Sequence, residues 1–490
     1  MTIMLVLLTL LPLIPAVAAL VTPARVTQAL TVGTGLVCLG LAVALVPGAG
    51  RRDLRVGILR ADALSVVFVL ATAFVYAACA AHSVGYLHHD ERARDFPRYA
   101  RRFYAGFNLF AWSMLCAPLV DGLALLWIAV EITTVVSALL VAVENTEGAT
   151  EAAWKYVLIA SAGLGVALLA TIFMYYAGAQ VLGQTYDLSF DPLVKAAPRL
   201  PDTPVRLAFV LAVLGFGTKV GLVPVHTWLP DAHAEAPTPV SAMLSGSLLA
   251  VSFYAVLRYY QITAGAVGTH FPRTVLLVFG IASLLLAALY LLDQHDIKRL
   301  LAYSSVEHMG ILAIGVGFGA ALALTGVLLH VLAHAAAKAN AFMGAGVLVR
   351  KYRTKEIRNL RGGADLLPWS APLFLTAVLA LSAMPPFGIF RSEFQIVAGG
   401  LRSGQYGPAA ALVVLVTVAF MGLAIAATRI VLTPISGPAG GGGPQAGEPS
   451  AWMIAPVLVG VAALAVLGLH PPADLAQLLA RGAAELGGAA

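Results

Sequence analysis

The chain has 490 residues, of which 60% are hydrophobic and 11% charged, with a formal net charge of +6. Soluble domains carry about a quarter charged residues, so this composition excludes a globular enzyme and predicts an all-α polytopic membrane protein. The basic residues fall in loops between apolar runs, a pattern that orients a membrane protein and excludes a nucleic-acid-binding surface.

At about 20 apolar residues per crossing, the sequence predicts fourteen segments, near 3–21, 29–47, 62–82, 103–120, 122–143, 154–177, 206–229, 240–262, 274–293, 299–319, 322–349, 371–394, 407–433 and 452–470. The first lacks basic residues ahead of its apolar run and reads as a membrane helix, not a cleaved leader. Cys38, Cys79 and Cys116 lie in apolar runs without CxxC spacing and read as small hydrophobes. A break at Asp121-Gly122 parts segments 4 and 5, and residues 178–205 form the longest polar connection. Residues 350–369 form a basic loop, and 434–450 a flexible low-complexity linker. An even number of crossings puts both termini on one side. Odd-numbered loops hold the arginine clusters at 92–102 and 350–361, so both termini are expected outside the cytoplasm, across an inner (plasma) membrane.

Segment 7 carries the sharpest signal. Leu207 to Phe216 is apolar and leads into Lys219, which is flanked by Gly215, Gly217, Gly221 and Pro224. A lysine at the bilayer centre costs roughly 2.5–3.5 kcal/mol on insertion scales and persists only with a partner, a cavity or a task. Glycine and proline nearby predict an interrupted helix. His226, Asp231 and His233 follow within the same stretch as supporting polar groups. Segment 12 repeats the pattern in SAMPPFGIFRSEF, where Pro385 and Pro386 precede Glu393. Paired interrupted helices in corresponding positions point to a transport site in a repeat-built carrier.

Other ionisable residues sit in apolar surroundings. Glu131 is mid-segment 5, and a carboxylate paired with Lys219 would restore both charges; the pair reads either as a structural clasp or as a switchable couple. His330, His334 and Lys338 of segment 11 are spaced i, i+4, i+8 and share one face. HVLAH lacks the glutamate of HExxH, so a hydrated proton relay explains the stripe better than a metal site. His308 lies deep in segment 10, beside Glu307. Asp293, His295, Asp296, Lys298 and Arg299 read as a solvated helix junction. Glu393 reads as a terminal proton acceptor, unless segment 12 ends near Ile389 and leaves it interfacial. No metal, cofactor or redox site is expected.

VPVHTWLPDAHAEAPTPVSAMLSG, DIKRLLAYSSVEHMGIL and HVLAHAAAKANAFMGAG resemble the signatures of the antiporter-like proton-translocating subunits of respiratory complex I, Mrp-type antiporters and energy-converting hydrogenases. MPPFGIFRSEF and the chain length are most similar to the component F type of hydrogenase-4 or formate hydrogenlyase. The resemblance implies fourteen helices with two inverted five-helix repeats. The expected division is 1–102, an N-terminal three-helix segment; 103–263, the first repeat; 274–433, the second; and 434–490, a flexible loop and final helix. It implies Glu131 and Lys219 as the coupling pair, His308, His330, His334 and Lys338 as the central relay, and Glu393 as the terminal group. Many relatives carry lysine or histidine in segment 8; here no such residue precedes Arg258, and Ser245, Ser247 or water would bridge the gap. The implied activity is proton translocation coupled to electron transfer in partner subunits. Those partners would be other membrane subunits and soluble redox subunits of hydrogenase or quinone-reductase type. A sodium/proton antiporter module and the membrane partner of an inorganic-carbon uptake complex are the alternatives.

Overall fold

The computed structural model describes residues 2–88, 95–434 and 446–487. Most of the predicted linker at 434–450, and the first residues of the 92–102 cluster, therefore lie outside the described residues. The rest is an all-α bundle. Helices α1 (Thr2–Leu10) and α2 (Leu13–Val21) form one crossing bent at Pro12, followed by α3 (Ala24–Ala49). A short hairpin, β1 (Leu54–Val56) with β2 (Leu59–Ala61), precedes α4 (Ala63–His88). Then come α5 (Phe96–Cys116), α6 (Leu123–Val141), α7 (Glu147–Leu182) and the short α8 (Phe190–Ala196).

The seventh crossing is broken into α9 (Asp202–Val220) and α10 (Trp228–Glu235). Gly221, at φ +85°, takes the left-handed turn that ends α9, a conformation a side chain resists. Next, α11 (Thr238–Met243) passes through a π turn at Leu244–Leu248 into α12 (Leu249–Val267). Three crossings follow: α13 (His270–Leu291), α14 (Ile297–Phe318) and α15 (Ala321–Tyr352). After α16 (Gly363–Leu366), the twelfth crossing is again broken, into α17 (Ser370–Leu381) and α18 (Gly388–Arg402). The chain ends with α19 (Tyr406–Leu432), α20 (Ala451–Leu469) and the amphipathic α21 (Ala473–Gly487).

Twelve helices among the described residues are long and apolar enough to cross a membrane. The other two predicted crossings are α5, whose first turns carry Arg98, Arg101 and Arg102, and the broken α17–α18. The expected end of segment 12 at 394 is corrected to Arg402, because the prolines start a new helix instead of closing the old one. Neither α8, which lies inside the predicted 178–205 connection, nor the hairpin nor α21 was expected.

Small residues set the spacing of the bundle. A side chain at Gly215 would meet the Ala167 backbone, so α7 and α9 lie in near contact. Helix α15 is the hub, packed against α4, α11, α14, α17, α18, α20 and α21. One end of the bundle gathers the hairpin, α8 and α21, tied by a Leu59–Val120 bridge and by Arg481 on Asp53. The other end gathers the starts of α7 and α14, the helix α10 and the basic loop 353–361, tied by Ile297 N to Lys355 O at 3.0 Å and Arg299 to Asp231 at 2.7 Å.

Candidate functional site

Lys219 is fully buried near the C-terminal end of α9. Its ammonium donates to the carbonyl oxygen of Val130 at 3.3 Å and to the hydroxyl of Thr134, both on α6. Thr134 Oγ1 in turn reaches the same carbonyl at 3.4 Å. A threonine that bonds back to the i−4 carbonyl places two oxygens side by side, which makes a seat for an ammonium. The Tyr156 ring centroid lies 5.7 Å away on the α7 side. Glu131 follows Val130, is partly buried, and has one carboxylate oxygen without a hydrogen-bond partner. Lys219 and Glu131 share this pocket without a direct ion pair, so the clasp expected between them is an adjacency in this state.

Lys338, at mid-α15, repeats the arrangement. Its ammonium donates to Leu301 O at 2.9 Å and to the hydroxyl of Ser304, which itself donates to Leu301 O at 3.0 Å. Glu307, two turns along α14 from Leu301, is buried with an unpaired oxygen. Ammonium groups have three donors; each lysine spends two on its seat.

Beyond Lys338 lies an imidazole cluster. His308 Nδ1 and His330 Nε2 are 3.0 Å apart, and His330 Nδ1 meets Ser392 Oγ at 2.9 Å. The His334 ring centroid is 5.1 Å from that of His308. Both nitrogens of His334 and Nε2 of His308 are buried without partners. Glu393 is not interfacial: α18 carries it inside, and ligand atoms of Glu393, His308 and His330 lie within 4.8 Å of one another. Glu393 thus lies beside the imidazole cluster, because the break before α18 lets that helix pack against α15.

The supporting residues separate. His233, on α10, is fully buried, stacks on Phe342 of α15 at 5.1 Å, one helical turn past Lys338, and leaves both nitrogens unpaired. His226 lies in the break with Nδ1 unpaired. Asp231 faces outward and pairs with Arg299 at 2.7 Å and Lys155 at 3.4 Å, so it anchors α10 at the bundle end. Pro224 and Pro386 each follow a cis peptide bond in the two breaks, Pro386 after Pro385. Ser245 meets Ser305 at 2.7 Å, and Ser305 shares the Leu301 carbonyl with Lys338, whereas Ser247 turns away to Thr72 on α4. Lys298 is no solvated junction residue: it is buried and donates to Ala236 O at 2.8 Å. The sequence reading also passed over Tyr156 beside Lys219 and the Asp62–Arg258 pair, which is described below.

A family model described as NADH:quinone oxidoreductase/Mrp antiporter, transmembrane, matches residues 121–421, which hold the two lysine seats, the imidazole cluster and both broken helices. The chain belongs to that family. It is an antiporter-like, multi-pass membrane protein. It is 35% identical over 358 residues to the hydrogenase-4 component F homolog of Methylacidiphilum infernorum (isolate V4), covering 73% of this chain and 75% of that one. Identity to hydrogenase-4 component B of Escherichia coli (strain K12) is 31% over 349 residues, 69% of this chain but half of that protein. The fold matches a chain of the Mrp complex from Dietzia sp. DQ12-45-1b with a TM-score of 0.86 at 21% identity, covering 99% and 98% of the two chains. It matches a chain of respiratory complex I from Thermus thermophilus at 0.82 and 24% identity, covering 99% and 100%. These neighbours of known structure are members of multi-subunit membrane complexes.

Proposed function

We propose that this chain moves protons along a mid-membrane axis within a larger redox complex, using Glu131, Lys219, His233, Lys338, the His334–His308–His330 cluster and Glu393 in that order. The observation that carries this reading is a set of buried titratable side chains that ends where ligand atoms of His308, His330 and Glu393 lie within 4.8 Å of one another. Each lysine sits where its proton has two fixed acceptors and one spare donor, and each open imidazole nitrogen can take or give a proton. Electrons would move in partner subunits of hydrogenase or quinone-reductase type, a reading supported by the hydrogenase-4 relatives. Events in a neighbouring protein of the complex would act on Glu131, whose unpaired carboxylate lies beside the Lys219 seat. The two broken helices support a division into two five-segment units, 103–263 and 274–433, and the basic loops support a cytoplasmic position for the α10 end of an inner membrane.

The test is Lys219→Ala in the assembled complex in native membranes. Electron transfer by the partners should stay measurable while coupled proton uptake falls to background; unimpaired uptake would remove the axis. A second reading, cation/proton exchange, draws on 30% identity over 387 residues to a probable K(+)/H(+) antiporter protein of Rhizobium meliloti (strain 1021), of which the chain covers 37%. Uptake that requires sodium or potassium would favour it.

A further inference from the structure

At the hairpin end of the bundle a charged cavity of about 510 Å³ opens between the end of the hairpin, α8, α12 and α21. Its wall includes Asp62 and Arg258, which are 0% and 2% exposed. Arg258 Nη2 donates to both Asp62 oxygens at 2.7 and 2.6 Å, while its Nε reaches the Tyr254 hydroxyl at 2.9 Å and its Nη1 reaches Gln261 at 2.9 Å. Arg60 stands 3.1 Å from Asp62. Glu485 of α21 closes one side, accepting from the Ala63 and Leu64 amides at 3.3 and 3.2 Å.

A seam of buried hydroxyls leads inward from this pair. Ser65 Oγ donates to Asp62 at 2.8 Å and lies 3.1 Å from the Tyr254 hydroxyl. Deeper between the same two crossings, Ser247 donates to Thr72 at 2.8 Å. Two residues on, Ser245 meets Ser305, and Ser305 shares the Leu301 carbonyl with Lys338. Tyr254 and Ser247 are seven positions apart, about 10 Å of helix rise, and in that stretch Val69, Leu248 and Val251 are buried and apolar. Hydroxyl pairs between packed helices are ordinary glue. Two features go beyond that: the seam begins at a buried charge pair bordering an open cavity, and it ends on the lysine's own acceptor. The π turn at Leu244–Leu248 sits where the seam passes from α4 to α14, and such turns gather at functional sites.

We propose that this seam is a second proton pathway, joining the Asp62–Arg258 cavity to Lys338, with Val69, Leu248 and Val251 as a dry gate that must wet before a proton passes. Hydrophobic constrictions gate other conduction paths by dewetting in the same way. The pathway rests on the proton-carrying reading above and adds a port at the hairpin face.

The test has two arms, both in the assembled complex in native membrane vesicles. In the first, Thr72→Val combined with Ser247→Ala should lower coupled proton uptake about a hundredfold, the lower end of what a positioned proton-transfer group contributes. Ser252→Ala, whose hydroxyl bonds only within its own helix at 3.0 Å, should leave uptake at the wild-type rate. Wild-type uptake in the double variant, alongside a dead Lys219→Ala, overturns the seam and leaves the main axis standing. An active Lys219→Ala removes both. In the second arm, which decides the matter if the double variant fails to accumulate, Ser65→Cys, on the cavity side of the gate, should react with a small membrane-impermeant methanethiosulfonate from the hairpin side, above the background of Cys38, Cys79 and Cys116. Ala484→Trp, filling the cavity wall, should slow that reaction several-fold. No reaction from the hairpin side overturns the pathway.

Discussion

Lys219 and Lys338 each rest on a backbone carbonyl already shared by a neighbouring hydroxyl, Val130 with Thr134 and Leu301 with Ser304. A hydrogen bond to a charged group is worth about 1.5–3 kcal/mol, so the hydroxyl helps to hold the lysine in its seat. Thr134→Val keeps the volume and removes the hydroxyl. It should lower the thermal midpoint of the purified complex and slow coupled uptake, with uptake falling further than chain abundance; an unchanged midpoint would deny the seat its role. Ser392→Ala should disturb His330, whose Nδ1 would lose its partner at 2.9 Å, and cut uptake without altering abundance in the membrane. Lys219 was legible in the sequence because a cation in an apolar helix is costly wherever it points. Asp62 and Arg258 were not: Asp62 precedes α4, and Arg258, in the middle of α12, lay near the expected end of segment 8 at 262, where a solvated charge is the cheaper assumption. Only the crossing of α4 and α12 brings them together. Lys298 misled for the same reason: the charged and polar groups around it, Asp293, His295 and Arg299, are exposed, and its burial under Ala236 is tertiary.

The broken helices are the elements that aim the chemistry. Gly221 stops α9 just past Lys219, and the restart at Trp228 carries His233 across to Phe342. The second break turns Glu393 inward. Both breaks were readable from glycine and proline, but their outcome was not, since apolar length alone cannot say where a restarted helix points. The hairpin and α21 were unreadable as elements. The strands have three residues each, and α21 has fifteen residues and buries Leu475, Leu478, Leu479 and Leu486 only against neighbours far away in sequence. Close packing of α7 on α9 gives another test. Gly215→Leu would drive a side chain into the Ala167 backbone, and overpacking typically costs about 1–3 kcal/mol or more. The variant should accumulate poorly and, where it survives, should lose uptake because α9 carries Lys219. Normal abundance with normal uptake would show that the two helices can separate freely.

Across the whole molecule, α21 straps the hairpin end, and its attachment should depend on pH. Burial pushes the Glu485 carboxyl up, helped by the negative charge of Asp62, to about 7 from an ordinary 4.5. Arg258, Arg481 at 3.3 Å and the amide of Leu64 act the other way, and Asp53 adds to the rise. The docked helix therefore holds this proton more tightly than a detached one. Docking is fully supported below about pH 4.5 and weakens as pH rises through about 7. Hydrogen exchange across 473–487, corrected for intrinsic rates, should be faster relative to the core at high pH, and Glu485→Gln should flatten that difference. The 32-residue α15 has its own consequence at this scale. Elements from the beginning, middle and end of the chain all lean on this one mast, so a tilt like that of a rocking carrier would have to break the packing of α15 on several sides at once. Whatever alternation the protein performs must be small and wet: side chains turning, water threading in and draining out, within a frame that stays still.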